Sequence, residues 1–256
     1  MERKYLIIPE FERLGQSAEL AQAYDAGFEY NDFCNPDVYS DEAEIKKRCD
    51  SYKELKRDRS MDTLHGVFLD IVVTSQDPQI AGYSQMRAEQ SLAIAEQLGV
   101  RGVVFHTGLI AELQVEYYLD AWLSKSECFW RKMAERYPEI DIYIENTFER
   151  TPEMLIRLKK SLSDVNNFKL CLDYGHACLT PTTIETWIEQ MGQYTGHIHL
   201  NDNDYKADLH QVPGEGLLDF LQCKQLLEQH LKDVPILLEL NGLERQKRAL
   251  EFMRKL

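Results

Sequence analysis

The chain has 256 residues, with 29 Lys plus Arg against 43 Asp plus Glu, a formal net charge of −14. That length supports a large core without covalent staples and is common for a single α/β barrel, and 44% apolar with 28% charged residues excludes disordered and fibrous classes. The acid excess disfavours a nucleic-acid partner, because such affinity rests on Lys and Arg neutralising phosphates. In chain order, Met1-Glu2-Arg3-Lys4 leads into an apolar run of only 5–8, too short for the core of a secretory signal. Strands are expected at 5–8, 28–30, 62–65, 102–106, 141–145, 169–173, 197–200 and 236–240. Helices are expected over about 84–98, where Gly99 is the stop, 115–136, 152–162, 217–231 and 242–256. This alternation predicts a parallel sheet, and with this length a single-domain (β/α)8 TIM barrel over 1–256. An open doubly wound sheet is the rival, but the first strand lacks a GxGxxG turn and no P-loop occurs.

No uncharged apolar run approaches the ~18 residues of a membrane span. Cys34, Cys49, Cys128, Cys171, Cys178 and Cys223 show no CxxC and no framework spacing, which fits reduced thiols and a cytoplasmic location. Cys178, close to Asp173 and His176, reads as a small core filler.

Strand parity is the most informative pattern. Side chains alternate between faces, so each barrel strand shows one set to the helices and the other to the interior. In 140–145 the isoleucines form one face, Tyr143 and Glu145 the other. The same parity sets apart His106, Asp173, His197 with His199, and Glu239. Five consecutive strands thus end in an inward His, Asp or Glu, at the end of the barrel where active sites lie. Glu145, Asp173, His199 and Glu239 would converge there, and three carboxylates in one mouth repel unless a cation compensates. Oxygen-rich ligation with one imidazole suits Mn2+, Mg2+ or Co2+, and added histidines tilt toward Zn2+. His65, His106, His176, Asp208 and His210 occupy strand ends or mouth loops and are further candidate ligands of metal or substrate. His197 lies one layer deeper and reads as structural, and His230 as surface.

The motifs LHGVFLD (64–70), VFHTG (104–108), IENT (144–147), LDYGHA (172–177), HLND (199–202), DLHQVPGEG (208–216) and LELN (238–241) resemble, in order, those of the xylose isomerase-like TIM-barrel superfamily, AP endonuclease family 2. That group holds endonuclease IV-type enzymes, sugar isomerases and epimerases, and inosose dehydratases. The resemblance implies that Glu145, Asp173, His199 and Glu239 form the single-metal site of the isomerases and epimerases. It also implies that Glu145 and Glu239 are the catalytic acid and base: one removes a proton beside a metal-polarised carbonyl and the other returns it, through an enediolate. His176 matches a substrate-contacting residue. The implied ligand is a small-molecule keto-sugar or polyol.

The same residues with His65, His106, His176, Asp208 and His210 also match the nine ligands of the trinuclear zinc site of the endonuclease IV branch, an AP endonuclease or phosphodiesterase using up to three Zn2+. An inosose-type dehydratase and a non-catalytic sugar-binding barrel are further alternatives. Charge favours the sugar branch. The expected mouth loops, 31–41, 70–80, 107–116, 146–152, 174–181, 201–216 and 241–244, hold thirteen acids against Arg150 and Lys206. The basic clusters at 46–48 and 245–248 read as solvated helix faces. Gly214-Glu215-Gly216 reads as a turn that sets Asp208 and His210, not as a phosphate cradle.

Overall fold

Apolar runs of three to six residues form eight strands: β1 (Tyr5–Ile7), β2 (Gly27–Tyr30), β3 (Thr63–His65), β4 (Gly102–His106), β5 (Asp141–Glu145), β6 (Phe168–Asp173), β7 (Thr195–Leu200) and β8 (Ile236–Leu238). They follow one another in sequence order in a closed parallel barrel, with helices between them. The coordinates are a computed structural model describing residues 3–256; Met1 and Glu2, with which the leader reading begins, lie outside the described residues. No described helix is long and apolar enough to cross a membrane.

Local chemistry sets the helix ends. The helix expected from 84 begins earlier, as Pro78–Leu98, because Asp77 caps it by accepting from the amides of Gln79 at 2.8 Å and Ile80 at 3.4 Å, with Pro78 in the first turn. It stops at Gly99, whose φ of 69° is the left-handed conformation that glycine adopts without strain. The helix expected from 217 begins later, as Phe220–His230, because Asp219 is its cap. β8 ends at Leu238, two residues short of expectation, yet the Glu239 amide still donates to Leu200 O at 3.1 Å and prolongs the alignment with β7.

The chain divides into two compact units. One comprises Tyr30–Glu145 and Glu153–Lys169, and holds β3, β4 and β5. Its register pairs Leu64 with Val103, Phe105 with Ile144, and His106 with Glu145. Phe105 packs on Trp130 with ring centroids 4.8 Å apart, so the outward parity of β4 meets the helix Glu116–Arg136. Gly102 is required here: a Cβ would lie 2.5 Å from the Tyr143 ring and 2.6 Å from Asp141 O.

The other unit comprises the described residues up to Glu29, with Asn146–Pro152 and Leu170–Leu256. Its β6 and β7 shift register between Leu170, opposite Thr195, and Cys171, opposite His197. Gly196 is thereby passed over, and Asp173 comes to stand beside His199 on one face of the ladder. At the strand exits, buried Gln246 of the helix Leu243–Lys255 donates to Ile8 O and Leu240 O, both at 2.7 Å. This staple fixes the segment that carries Glu239. Replacing it by an apolar side chain of similar volume leaves two buried carbonyls without their donor. Gln246→Met should therefore lower unfolding free energy by roughly 2 kcal/mol or more, read from urea titration; an unchanged midpoint would contradict the role.

Candidate metal centre

In the unit of β3 to β5, the strand ends bring His65, His106 and Glu145 together. Glu145 Oε2 lies 3.7 Å from His65 Nε2 and 3.5 Å from His106 Nε2, and Glu145 and His65 are both buried. His65 donates Nδ1–H to Gly66 O at 2.9 Å, which turns Nε2 toward the carboxylate. Phe68 walls the pair, with its ring 5.3 Å from that of His65 and 4.6 Å from that of His106. Burial opposes protonation of His65, but contacts with Cys34 and Glu145 outweigh it and raise its pKa well above the ordinary imidazole range.

The other unit gathers Asp173, His199 and Glu239. His199 Nδ1 lies 3.5 Å from Glu239 Oε2, and Asp173 is the register partner of His199. Asn146 grips the Asp173 backbone from both sides: its Oδ1 accepts from Asp173 N at 2.8 Å and its Nδ2 donates to Asp173 O at 2.9 Å. Asp173 also caps the short helix Tyr174–Cys178, accepting from His176 N at 2.6 Å. A second group stands in the same unit. His176 and His210 each direct Nε2 at Asp208 Oδ2, at 3.2 and 2.9 Å. Both rings donate Nδ1–H to backbone carbonyls, His176 to Asn146 O at 3.0 Å and His210 to Glu239 O at 2.9 Å. Burial alone would raise the Asp208 pKa; the two histidines overcome it and hold the carboxyl well below the usual range. Burial would likewise depress His210, but Asp208 and Glu239 raise it to about 9.

These groups are the donor sets that hold divalent ions: carboxylate oxygens with imidazole nitrogens, the other nitrogen of His65, His176 and His210 being tied to a carbonyl. The residues fit a metal, and the described chain contains a buried candidate metal-binding cluster.

Several roles were not legible in the sequence. Glu29, in the middle of β2, is fully buried and joins His197 at 2.9 Å to His199 at 3.1 Å. The signal was a lone charge between Phe28 and Tyr30. Asp202, counted among the mouth acids, is buried, and its carboxylate accepts from the amides of Gly214, Gly216 and Leu218 at 2.9, 2.8 and 3.0 Å. The glycine turn is therefore organised around Asp202. Other mouth acids are also engaged: Asp41 and Asp77 cap helices, and Asp32 pairs with Arg48 at 2.7 Å. The surplus available to a ligand is smaller than the count implied. In the basic clusters Lys46, Lys47, Lys247 and Arg248 are exposed, as expected of solvated helix faces, while Arg48 is held by Asp32 and Glu44 and Gln246 is buried. His197 is fully buried and His230 exposed, as expected. All six cysteines are free thiols, and burial pushes the Cys178 pKa upward, against a nucleophilic role.

A closed parallel barrel with histidines and carboxylates at its C-terminal strand ends defines a TIM barrel with a candidate metal cluster. The chain belongs to the xylose isomerase-like TIM barrel family, whose model matches residues 20–256. An uncharacterised protein of Methanocaldococcus jannaschii, MJ1311, is 25% identical over 204 residues, 75% of this chain and 68% of the relative. The TTHB071 protein from Thermus thermophilus, studied after soaking with ZnCl2, superimposes with a TM-score of 0.78 at 23% identity, covering 99% of this chain and 97% of that one. A D-tagatose 3-epimerase-like protein does so with a TM-score of 0.78 at 20% identity, covering 99% and 96%. Structures sharing the fold also include L-ribulose 3-epimerase and D-psicose 3-epimerase, at 16% and 15% identity with TM-scores of 0.75 and 0.72. The structural neighbours thus include sugar epimerases.

The Asp208–His210 pair predicts a pH dependence for metal-free protein. The folded pKa of His210, about 9, lies above its ordinary 6.5. The stabilisation it provides is complete below about pH 6.5 and lost as pH rises through about 9. Urea midpoints of chelator-treated protein should fall across that window, with a shallower fall in Asp208→Asn; equal slopes would contradict the pairing.

Proposed function

We propose that the chain is a divalent-metal-dependent isomerase or epimerase of a keto-sugar or related polyol. In this reading Glu145, Asp173, His199 and Glu239 hold the ion, and Glu145 and Glu239 exchange the proton. The observation that carries it is the gathering of Asp173, His199 and Glu239 at the ends of β6, β7 and just past β8, fixed by the register shift and the Asn146 clamp. Glu145 holds the corresponding strand-end position on β5, which precedes β6 in the closed order. Three carboxylates with one imidazole are a donor set suited to Mn2+, Co2+, Mg2+ or Zn2+. The family and the sugar epimerases among the structural neighbours support the same class. An exposed aromatic ring, Phe148, lies 5.6 Å from the His176 ring and offers an apolar surface suited to the C–H face of a sugar.

A bound divalent ion would polarise a substrate carbonyl and offset the negative charge that grows on its oxygen as the adjacent C–H breaks. One glutamate accepts that proton on a carboxylate oxygen, and the other delivers a proton to the opposite face or the neighbouring carbon. Buried walls around both carboxylates keep bulk water from competing for the exchanged proton. In this reading His176, with Nδ1 tied to Asn146 O, would exchange its Nε2 contact with Asp208 for a substrate hydroxyl. If a hydroxyl next to the carbanionic carbon departs before reprotonation, the same groups perform a dehydration.

A second reading, a trinuclear-zinc phosphoester hydrolase, is favoured by one specific observation. His65–His106–Glu145 and His176–Asp208–His210 are both complete donor groups, and backbone carbonyls fix the rings of His65, His176 and His210. Metal content and substrate separate the two. For the sugar reading, protein loaded with Mn2+ or Co2+ should exchange one solvent deuterium into a ketose beside its carbonyl, with one functional ion per chain. Glu145→Gln and Glu239→Gln should each lower kcat by at least ~10^2-fold. Full activity in either variant contradicts the proton-exchange mechanism, and cleavage of abasic-site DNA with about three Zn2+ per chain favours the hydrolase.

A further inference from the structure

Beneath the strand ends two residues that the proton-exchange mechanism does not use, Glu29 and His197, stand against the proposed ligand His199. Glu29, His197 and His199 are each fully buried, on β2 and β7. Glu29 Oε2 accepts from His197 Nε2 at 2.9 Å, and Glu29 Oε1 stands 3.1 Å from His199 Nε2. The first is a hydrogen bond and the second a close nitrogen–oxygen contact, so the two oxygens of one carboxylate meet the two rings separately. A carboxylate placed this deep is costly unless donors surround it.

The consequence falls on His199. A neutral imidazole carries one proton, and the nitrogen without it is the one able to bind a metal. Glu29, being acceptor-only, requires the proton on Nε2. The lone pair is then on Nδ1, the nitrogen that faces Glu239 Oε2 at 3.5 Å. His197 restrains Glu29 in turn, so the chain His197 to Glu29 to His199 orients the ring from below. We infer that Glu29 is a positioning residue that, braced by His197, fixes His199 in the Nε2–H tautomer and so readies Nδ1 as a metal ligand. The inference rests on the metal site proposed above.

The test uses uniformly 15N-labelled, metal-free protein, and long-range 15N–1H correlation spectra that report which nitrogen of His199 bears the proton. A parallel competition titration with a chelator gives the Co2+ affinity. Wild type should show His199 protonated at Nε2. Glu29→Gln keeps the side-chain volume but can present its amide in either sense and lacks the charge. It should give mixed His199 tautomers and a Co2+ affinity about 10–100-fold weaker. Glu29→Asp, which restores the charge on a shorter arm, should recover part of that loss. A folded Glu29→Gln chain with wild-type tautomer and affinity overturns the inference. If that variant does not fold, the wild-type spectrum still decides, because a proton on Nδ1 of His199 overturns it as well. A wild-type chain that has the Nε2–H tautomer yet binds no Co2+ supports the anchoring and contradicts the metal site instead.

Discussion

Carboxylates placed out of reach of water must be answered by donors or by positive charge, and the strand ends of this barrel are organised around that requirement. Asp173 is fully buried, Glu145 nearly so, and Glu239 is mostly enclosed. Histidine rings and backbone amides meet part of their demand, as where the His176 amide donates to Asp173 Oδ1 and where two imidazoles pair with Asp208. A divalent cation would meet the remainder, and the donor set suits one. A net charge of −14 would be a diffuse solvation feature on most chains. Here part of it is concentrated on side chains with definite tasks.

The histidines follow one rule. His65, His176 and His210 each commit Nδ1–H to a backbone carbonyl, whereas His199 turns Nε2 to Glu29. In every case the nitrogen opposite the anchored one faces a carboxylate. Ligand direction is thus set by fixed backbone carbonyls and, at His199, by a buried carboxylate, and little rotamer entropy need be lost when a ligand arrives. His210 adds a backbone cost, since its φ of 45° lies in the left-handed region, where a residue with a Cβ is strained. That strain is maintained by its bonds to Glu239 O and Asp208.

The fold was largely legible because period-2 alternation in short apolar runs reveals both the strand and the face to which its last polar residue belongs. His106, Glu145, Asp173, His199 and Glu239 stood out for that reason. What escaped depends on contacts between segments far apart in sequence. Glu29 lies 168 positions from His197, and nothing local marks the pairing. Gly196, which lets Asp173 face His199, sat outside the expected strand at 197–200 because an isolated glycine reads as an end and not as a bulge. Asp202 looked like one more acid of a mouth loop until the amides of Gly214, Gly216 and Leu218 were found around it. Asp77-Pro78 was the overlooked start of its helix, since the apolar period was followed and the cap was not.

Two branches of one family remain distinguished by how many of the three donor groups hold metal at once. The proposal common to both is that an ion binds at Asp173 on β6, His199 on β7, Glu239 just past β8 and Glu145 at the end of β5. Anomalous diffraction from crystals grown with Mn2+, recorded on both sides of the manganese edge, tests it most directly. A peak within coordination distance of Asp173, His199 Nδ1, Glu239 and Glu145 is expected. A peak confined to other residues, or ligation of His199 through Nε2, would contradict it.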